Sequence, residues 1–172
     1  VLALHFAVTL VEILAGLALG IAFGSLTAII LSMSRIIRYW LLPILVITQT
    51  LPVFAIAPIL VLWLGYDMAS KIAMATLIIY FPVTVSLLDG LRSTQQDFLD
   101  LAKTMGASPI AILQFLSIPS ALPSFASGVR VAASVAPIGA VVGGWVGSSQ
   151  GLGYLMLHAN GRMQTDLMFA AL

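Results

Sequence analysis

Cysteine is missing from this sequence and charge is scarce: seven Lys and Arg, six Asp and Glu, 8% of 172 residues. Without cysteine there is no disulfide framework, no thiolate metal site and no cysteine nucleophile. The shortage of charge excludes a water-soluble globule, since soluble domains carry roughly a quarter charged residues. A formal net charge of +1 provides no basic stripe to neutralise phosphates, which excludes nucleic acid as a partner. There is no G-x4-G-K-S/T phosphate loop, so the chain does not bind and hydrolyse ATP by that device. Gly151-Leu152-Gly153 is too short for a nucleotide fingerprint, and Ser148-Ser149 has no base close by in sequence. His5 and His158 are far apart in sequence, and neither has a carboxylate or second His at ligand spacing, so no metal site is expected. What fills the chain is 61% hydrophobic residues, with a mean hydropathy of +1.14. It reads as an all-α, polytopic transmembrane helix bundle embedded in a lipid bilayer.

A bilayer-spanning helix needs about 20 mostly apolar residues. Residues 1–12 carry His5 and Glu12 and read as an interfacial lead-in. A first span is expected over about 13–33, with Gly16, Gly20 and Gly24 on one ridge where another helix can approach closely. Residues 34–40 then supply Arg35, Arg38 and an interfacial Tyr39-Trp40 pair. The second span, about 41–64, is interrupted by Pro43, Pro52 and Pro58. Gln49 and Thr50 near its middle have two readings, an interhelical hydrogen bond or the lining of a translocation path. The third span, about 71–89, holds Tyr80 and Pro82, and its Thr84 and Ser86 are further polar candidates for a path. The fourth, about 127–147, begins near Gly128 and Arg130 and includes Pro137, Gly139, Gly143 and Gly144. A glycine-rich loop with a short amphipathic helix follows at 148–165, and Thr165-Asp166 is placed to cap a last span. Glu12, Asp67, Asp89 and Asp166 all fall at expected span ends, leaving no obvious intramembrane carboxylate for ion coupling. The chain begins at Val1 and ends in an apolar run, so it is expected to be a single domain, 1–172, of a longer protein.

Between the third and fourth spans lies a stretch of different character, STQQDFLDLAKTMGASPIAILQFLSIP at 93–119. Ser93 and Gln96 have the spacing of a capping box. Phe98, Leu101, Ala102 and Met105 fall at i, i+3, i+4 and i+7, with Asp97, Asp100, Lys103 and Thr104 opposite. Gly106 stands where a helix end requires positive φ. Ser108-Pro109 starts a second helix at once, and Pro119 is expected to end it at Ile118. The prediction is two short helices joined by a tight turn at a membrane surface.

Lysine and arginine counts set the orientation. One set of loops holds Arg35, Arg38, Arg92, Lys103 and Arg130; the other holds Lys71 and Arg162. Residues 34–40 and 90–126 are therefore expected in the cytoplasm.

The central stretch resembles the EAA signature of permease subunits from bacterial type I ABC importers: EAA, three residues, Gly, nine residues, I-x-L-P. Asp100-Leu101-Ala102 stands for EAA, then Lys103-Thr104-Met105, Gly106, nine residues, and Leu116-Ser117-Ile118-Pro119. Asp replaces Glu, Leu replaces the first Ala, and Ile and Leu are exchanged at the end. PVFAIAPILVLWLGYDMASKIAMA at 52–75, Gly128-Val129-Arg130 and Gly151-Leu152-Gly153 resemble the branch serving sulfonates, taurine, nitrate and thiamine precursors. The tail from Trp145 is most similar to permeases for hydroxymethylpyrimidine uptake, though Gly144 stands where that branch often has an acidic residue.

The resemblance implies a type I importer permease fold with a further helix before Val1 and a cytoplasmic end beyond Leu172. It implies that Asp100, Leu101, Ala102, Lys103, Gly106, Leu116, Ile118 and Pro119 form a cytoplasmic coupling segment seated on a separate ABC ATPase subunit. ATP and Mg would then bind that partner and no cofactor would bind this chain. An extracytoplasmic solute-binding protein and a second permease copy, as a homodimer in a bacterial plasma membrane, complete the implied assembly. The alternative is an energy-independent membrane protein, either a secondary transporter or an assembly subunit, which accounts for the spans but not for the EAA spacing.

Overall fold

The computed structural model describes residues 2–66, 68–146 and 148–172, and helix is the regular structure among them. Asp67, expected at a span end, and Gly147, the last residue of the expected fourth span, lie outside the described residues.

The first helix, α1, runs unbroken over Leu2–Met33. The expected lead-in at 1–12 is thus not a separate element: its described residues form the first turns of α1. The physical reason is Glu12, which marks a boundary when read alone but in the fold meets Lys71 at 2.6 Å. After Ser34, whose hydroxyl accepts from the Ile37 N–H as an N-cap, α2 spans Arg35–Thr50 and α3 spans Val53–Leu64. Pro52 disfavours helix at Leu51, which is extended, and the two helices meet at a 101° bend. Through its middle α2 packs Leu41, Leu42 and Leu45 around Leu31, Leu88 and Leu91, while α3 sets Ala57 against Met74 and Val142. The expected second span is therefore two helices with a sharp break between them, the form of a broken span or of a re-entrant loop.

Helix α4, Met68–Arg92, is the central post, packing on α1 on one side and on the last long helix on the other. The glycine ridge of α1 faces it. A Cβ at Gly16 would lie 2.5 Å from the Ala75 Cβ, and one at Gly20 would lie 2.5 Å from the Ile79 Cγ2. Small residues here set how closely the two backbones approach in lipid, where packing rather than water exclusion drives association. Tyr80 satisfies its hydroxyl by donating to the Thr27 Oγ1 at 2.9 Å.

Then come α5, Gln96–Thr104, and α6, Pro109–Ile112. Pro119 does not end the helix that α6 begins. Instead a π turn at Leu113–Ser117 leads directly into α7, Ile118–Trp145, making one 37-residue helical run. In that turn the Ile118 N–H donates to the Leu113 carbonyl, five residues back. A proline inside an ordinary α-turn would leave a carbonyl unpaired and clash with it; the wider turn accommodates the ring. The fourth span consequently starts well before residue 127. Helix α7 runs antiparallel to α4, with Gly90 beside Ala121, Gly128 beside Ser86, Gly139 beside Ala75 and Gly143 beside Lys71. Two short helices close the chain, α8 at Leu152–Gly161 and α9 at Thr165–Ala171, the latter preceded by Gln164 with no side-chain cap.

Among the described residues three helices are long and apolar enough to cross a membrane, and a fourth crossing arises if α2 and α3 count as one. The bundle has two distinct ends. One gathers Arg35, Arg38, Arg92 and Lys103; the other gathers Lys71, Ser149 and Gln150. Arg130 belongs to neither. It sits well inside α7, so it leaves the loop tally and the asymmetry becomes four cations against two.

Candidate functional site

At the first end, the hairpin 93–119 projects from the bundle. Helix α4 closes with the Ser93 hydroxyl donating to the Gly90 carbonyl and the Thr94 hydroxyl donating to the Leu91 carbonyl. The expected capping box does not form, because both of its members are engaged elsewhere. Ser93 serves the end of α4, and the Gln96 amide donates to the Asp100 carboxylate at 3.0 Å. Gln95 occupies the N-cap position without a side-chain bond.

The turn forms as its residues require. Gly106 has φ +77°, its N–H bonds the Lys103 carbonyl, and the Ala107 N–H reaches back to the Ala102 carbonyl. This is the paired closure that a left-handed glycine permits at a helix C-terminus. Ser108 caps the next helix by accepting from the Ala111 N–H, with Pro109 at its first position.

Helix α5 buries none of its residues. Ala102 is half-buried, whereas Phe98, Leu101 and Met105 are 51%, 57% and 79% exposed. Asp100 and Lys103, also exposed, pair at 3.0 Å. The Asp100 carboxyl is held below the usual carboxylate range, chiefly by the Lys103 hydrogen bond and then by that from Gln96. The foot of the hairpin is firmer: Leu113 and Ile118 pack on the cluster of Leu31, Leu91 and Ala121, while Pro119 is exposed and Leu116 half-buried. Between hairpin and bundle lies an open recess of about 500 Å³ lined by Met33, Arg92, Lys103 and Ile112. Of the eight signature residues, Ile118 therefore roots the hairpin, while Asp100, Leu101 and Lys103 present themselves outward.

The opposite end holds a constellation that sequence reading missed. Lys71 Nζ donates to the Glu12 Oε1 and, at 3.1 Å, to the Gln150 carbonyl. The Gly151 N–H donates to His5 Nδ1 at 3.0 Å, and the Leu152 N–H donates to the Thr9 Oγ1 at 2.8 Å. His5, Thr9 and Glu12 lie at i, i+4 and i+7 on α1, a spacing visible in the sequence; their partners, some 60 to 145 residues away, are not. His5 and His158, distant in sequence, both lie near Tyr154, with ring centroids 6.1 and 4.0 Å from it. Among the described residues no group of three or more His, Cys, Asp or Glu is placed to hold a metal ion.

The polar candidates for a path are scattered. Gln49 and Thr50 are exposed at the end of α2, where Thr50 donates to the Ile47 carbonyl. Thr84 is fully buried and its hydroxyl donates to the Tyr80 carbonyl, while Ser86 faces Gly128 in the α4–α7 contact. The structure does not bring these four to one surface.

The description "binding-protein-dependent transport system inner membrane component" fits residues 20–172, which include the hairpin and all of α4 and α7. The chain belongs to that family. It is a multi-pass inner-membrane permease of the ABC importer class. Among its relatives is a probable ABC transporter permease protein of Haemophilus influenzae, 67% identical over 168 residues, covering 98% of this chain and 69% of the relative. The formylaminopyrimidine transport permease protein of Halalkalibacterium halodurans is 45% identical over 150 residues, 87% of this chain and 60% of that protein. The taurine transport system permease protein of Escherichia coli is 32% identical over 168 residues, 98% of this chain and 61% of that one. The sequence thus spans 60 to 69% of the length of these three relatives.

Proposed function

We propose that this permease is the membrane-spanning subunit of an importer powered by a separate ATPase, and that the hairpin 93–119 is where that ATPase docks. The observation that carries the reading is the exposed apolar face of Phe98, Leu101 and Met105 on a short helix that buries nothing against its own bundle. A surface helix normally turns such a face inward, so this one is shaped for a partner. Asp100 and Lys103 beside it supply charges of both signs to set the register. Gly106 makes the hairpin tight, and Ile118, packed at its foot, ties movement of the hairpin to α1, α4 and α7.

The hairpin end then lies in the cytoplasm, in agreement with its four cations. ATP and Mg act on the partner, whose closure and release bias the bundle between outward-open and inward-open states. A second permease copy, taken as a homodimer, completes the path, and an extracytoplasmic binding protein delivers the solute to the other end. Family likeness supports these partners as a class. The likeness to a formylaminopyrimidine permease favours a thiamine-pyrimidine precursor as the solute, ahead of taurine or another sulfonate, or nitrate. A secondary carrier is disfavoured because Glu12, the one fully buried carboxylate among the described residues, is already neutralised by Lys71.

The test is co-purification of the ATPase with the full-length permease in detergent, before and after Leu101→Asp. The reading predicts an ATPase bound to the native protein and largely lost from the variant, with uptake lost in parallel. An ATPase held equally by both, with normal uptake, would sink it.

A further inference from the structure

Arg130 is exposed on α7 and makes no ion pair or hydrogen bond among the described residues. Its depth is what makes it unusual. It lies midway between Ser117, which lines the recess beside Arg92, and Gly143, which packs on Lys71. At 1.5 Å per residue it is about 20 Å from each level. An unpaired guanidinium facing hydrocarbon at mid-membrane is strongly unfavourable, and such residues turn toward protein or water instead.

The face around Arg130 agrees. Within about 60° of it on the helical wheel, over the two turns on either side, stand Pro123, Ala126, Ser127, Ala133, Ser134 and Pro137, none with a large aliphatic side chain. The exposed large aliphatic residues of α7 stand to either side: Leu122 at 55%, Val131 at 50% and Ile138 at 57% exposure. Helix α1 shows the contrast, exposing Leu14, Phe23, Leu26 and Ile30, as a lipid-facing surface does. Two different kinds of exposed surface therefore occur on one bundle, and only one carries a charge at this depth.

We infer that the Ser127–Arg130–Ser134 face of α7 lines the solute path at mid-membrane, with the Arg130 guanidinium as its contact for an anionic or oxygen-acceptor group of the solute. The planar fork matches the paired oxygens of a carboxylate, sulfonate or similar group. The neighbouring hydroxyls extend the wetted strip along the helix. This rests on the transport reading above, but its test does not depend on ATP coupling.

The experiment introduces single cysteines, Ser127→Cys, Ser134→Cys, Leu122→Cys and Ile138→Cys, into the full-length transporter assembled in proteoliposomes, with any other cysteine replaced. Membrane-impermeant methanethiosulfonates bearing a sulfonate or an ammonium group are the probes. Labelling is expected at 127 and 134 but not at 122 and 138, with the sulfonate reagent favoured about tenfold by the nearby cation. Adding Arg130→Gln should abolish that preference while labelling persists. Equal labelling at all four positions, protection of 127 and 134, or a charge preference that survives Arg130→Gln would overturn the inference. So would spontaneous disulfide formation between two Ser134→Cys copies, which would make the face a copy-to-copy contact. If ATP-driven uptake fails in every assembly while the labelling pattern holds, the ATPase assignment falls and the path-lining face stands.

Discussion

The buried pair Glu12–Lys71 shows how a single residue can be misread at the scale of the residue. In sequence Glu12 marks a place where an apolar run stops, and nothing nearby offers it a counter-charge. The counter-charge comes from Lys71 on another helix, and the same ammonium donates to the Gln150 carbonyl. Removing one partner leaves the other as an uncompensated buried charge, so Lys71→Met is expected to cost about 3–5 kcal/mol. Glu12→Gln together with Lys71→Met should recover most of that, as thermal unfolding in detergent would register. Gly106 is the opposite case, legible from sequence because its requirement is local. Its φ of +77° is strained for a β-branched residue, by about 1–3 kcal/mol. Gly106→Val is therefore expected to lower ATP-dependent uptake severalfold while leaving the amount of folded protein in the membrane near normal. Normal uptake by that variant would contradict the role given to the turn.

Among the elements, periodicity and punctuation located the long helices and the hairpin but mistook several of their ends. Prolines were the main cause. Pro52 does break a helix, and the bend it makes is 101°. Pro119 does not, because a π turn widens the helix just before it and carries the run through to Trp145. Whether a proline ends a helix or is absorbed depends on what packs around it, and at 119 the neighbouring Ile118 is held by Leu31, Leu91 and Ala121. The same packing moved Arg130 from an expected loop edge to the middle of a helix. The glycine ridge of α1 was legible because i, i+4, i+8 spacing survives any tertiary context; that α4 receives it was not. Gly20→Leu would drive a side chain into Ile79, and the cost expected is at least about 1–3 kcal/mol. Gly65→Ala, where a Cβ would meet nothing within 4 Å but φ is +85°, separates backbone strain from crowding in the same unfolding assay.

On the scale of the whole molecule, the bundle presents two worked ends and one unusual face. Polar side chains of α1 and α4 hold the 150–152 backbone at one end, while at the other a hairpin stands clear of the helices that root it. That division suits a protein that receives solute on one side and mechanical work on the other. Class and the hairpin were readable because composition and local signals decide them. The ion pair, the loop anchors and the depth of Arg130 were not, since each depends on which helices meet. The central claim is that the exposed face of α5 seats on an ATPase. A photo-reactive side chain placed at Met105, which is 79% exposed, tests it most directly in membranes containing the full-length transporter. The account predicts a covalent product with a chain that carries a phosphate-loop ATPase sequence. Products formed only with lipid, or only with the permease itself, would contradict it.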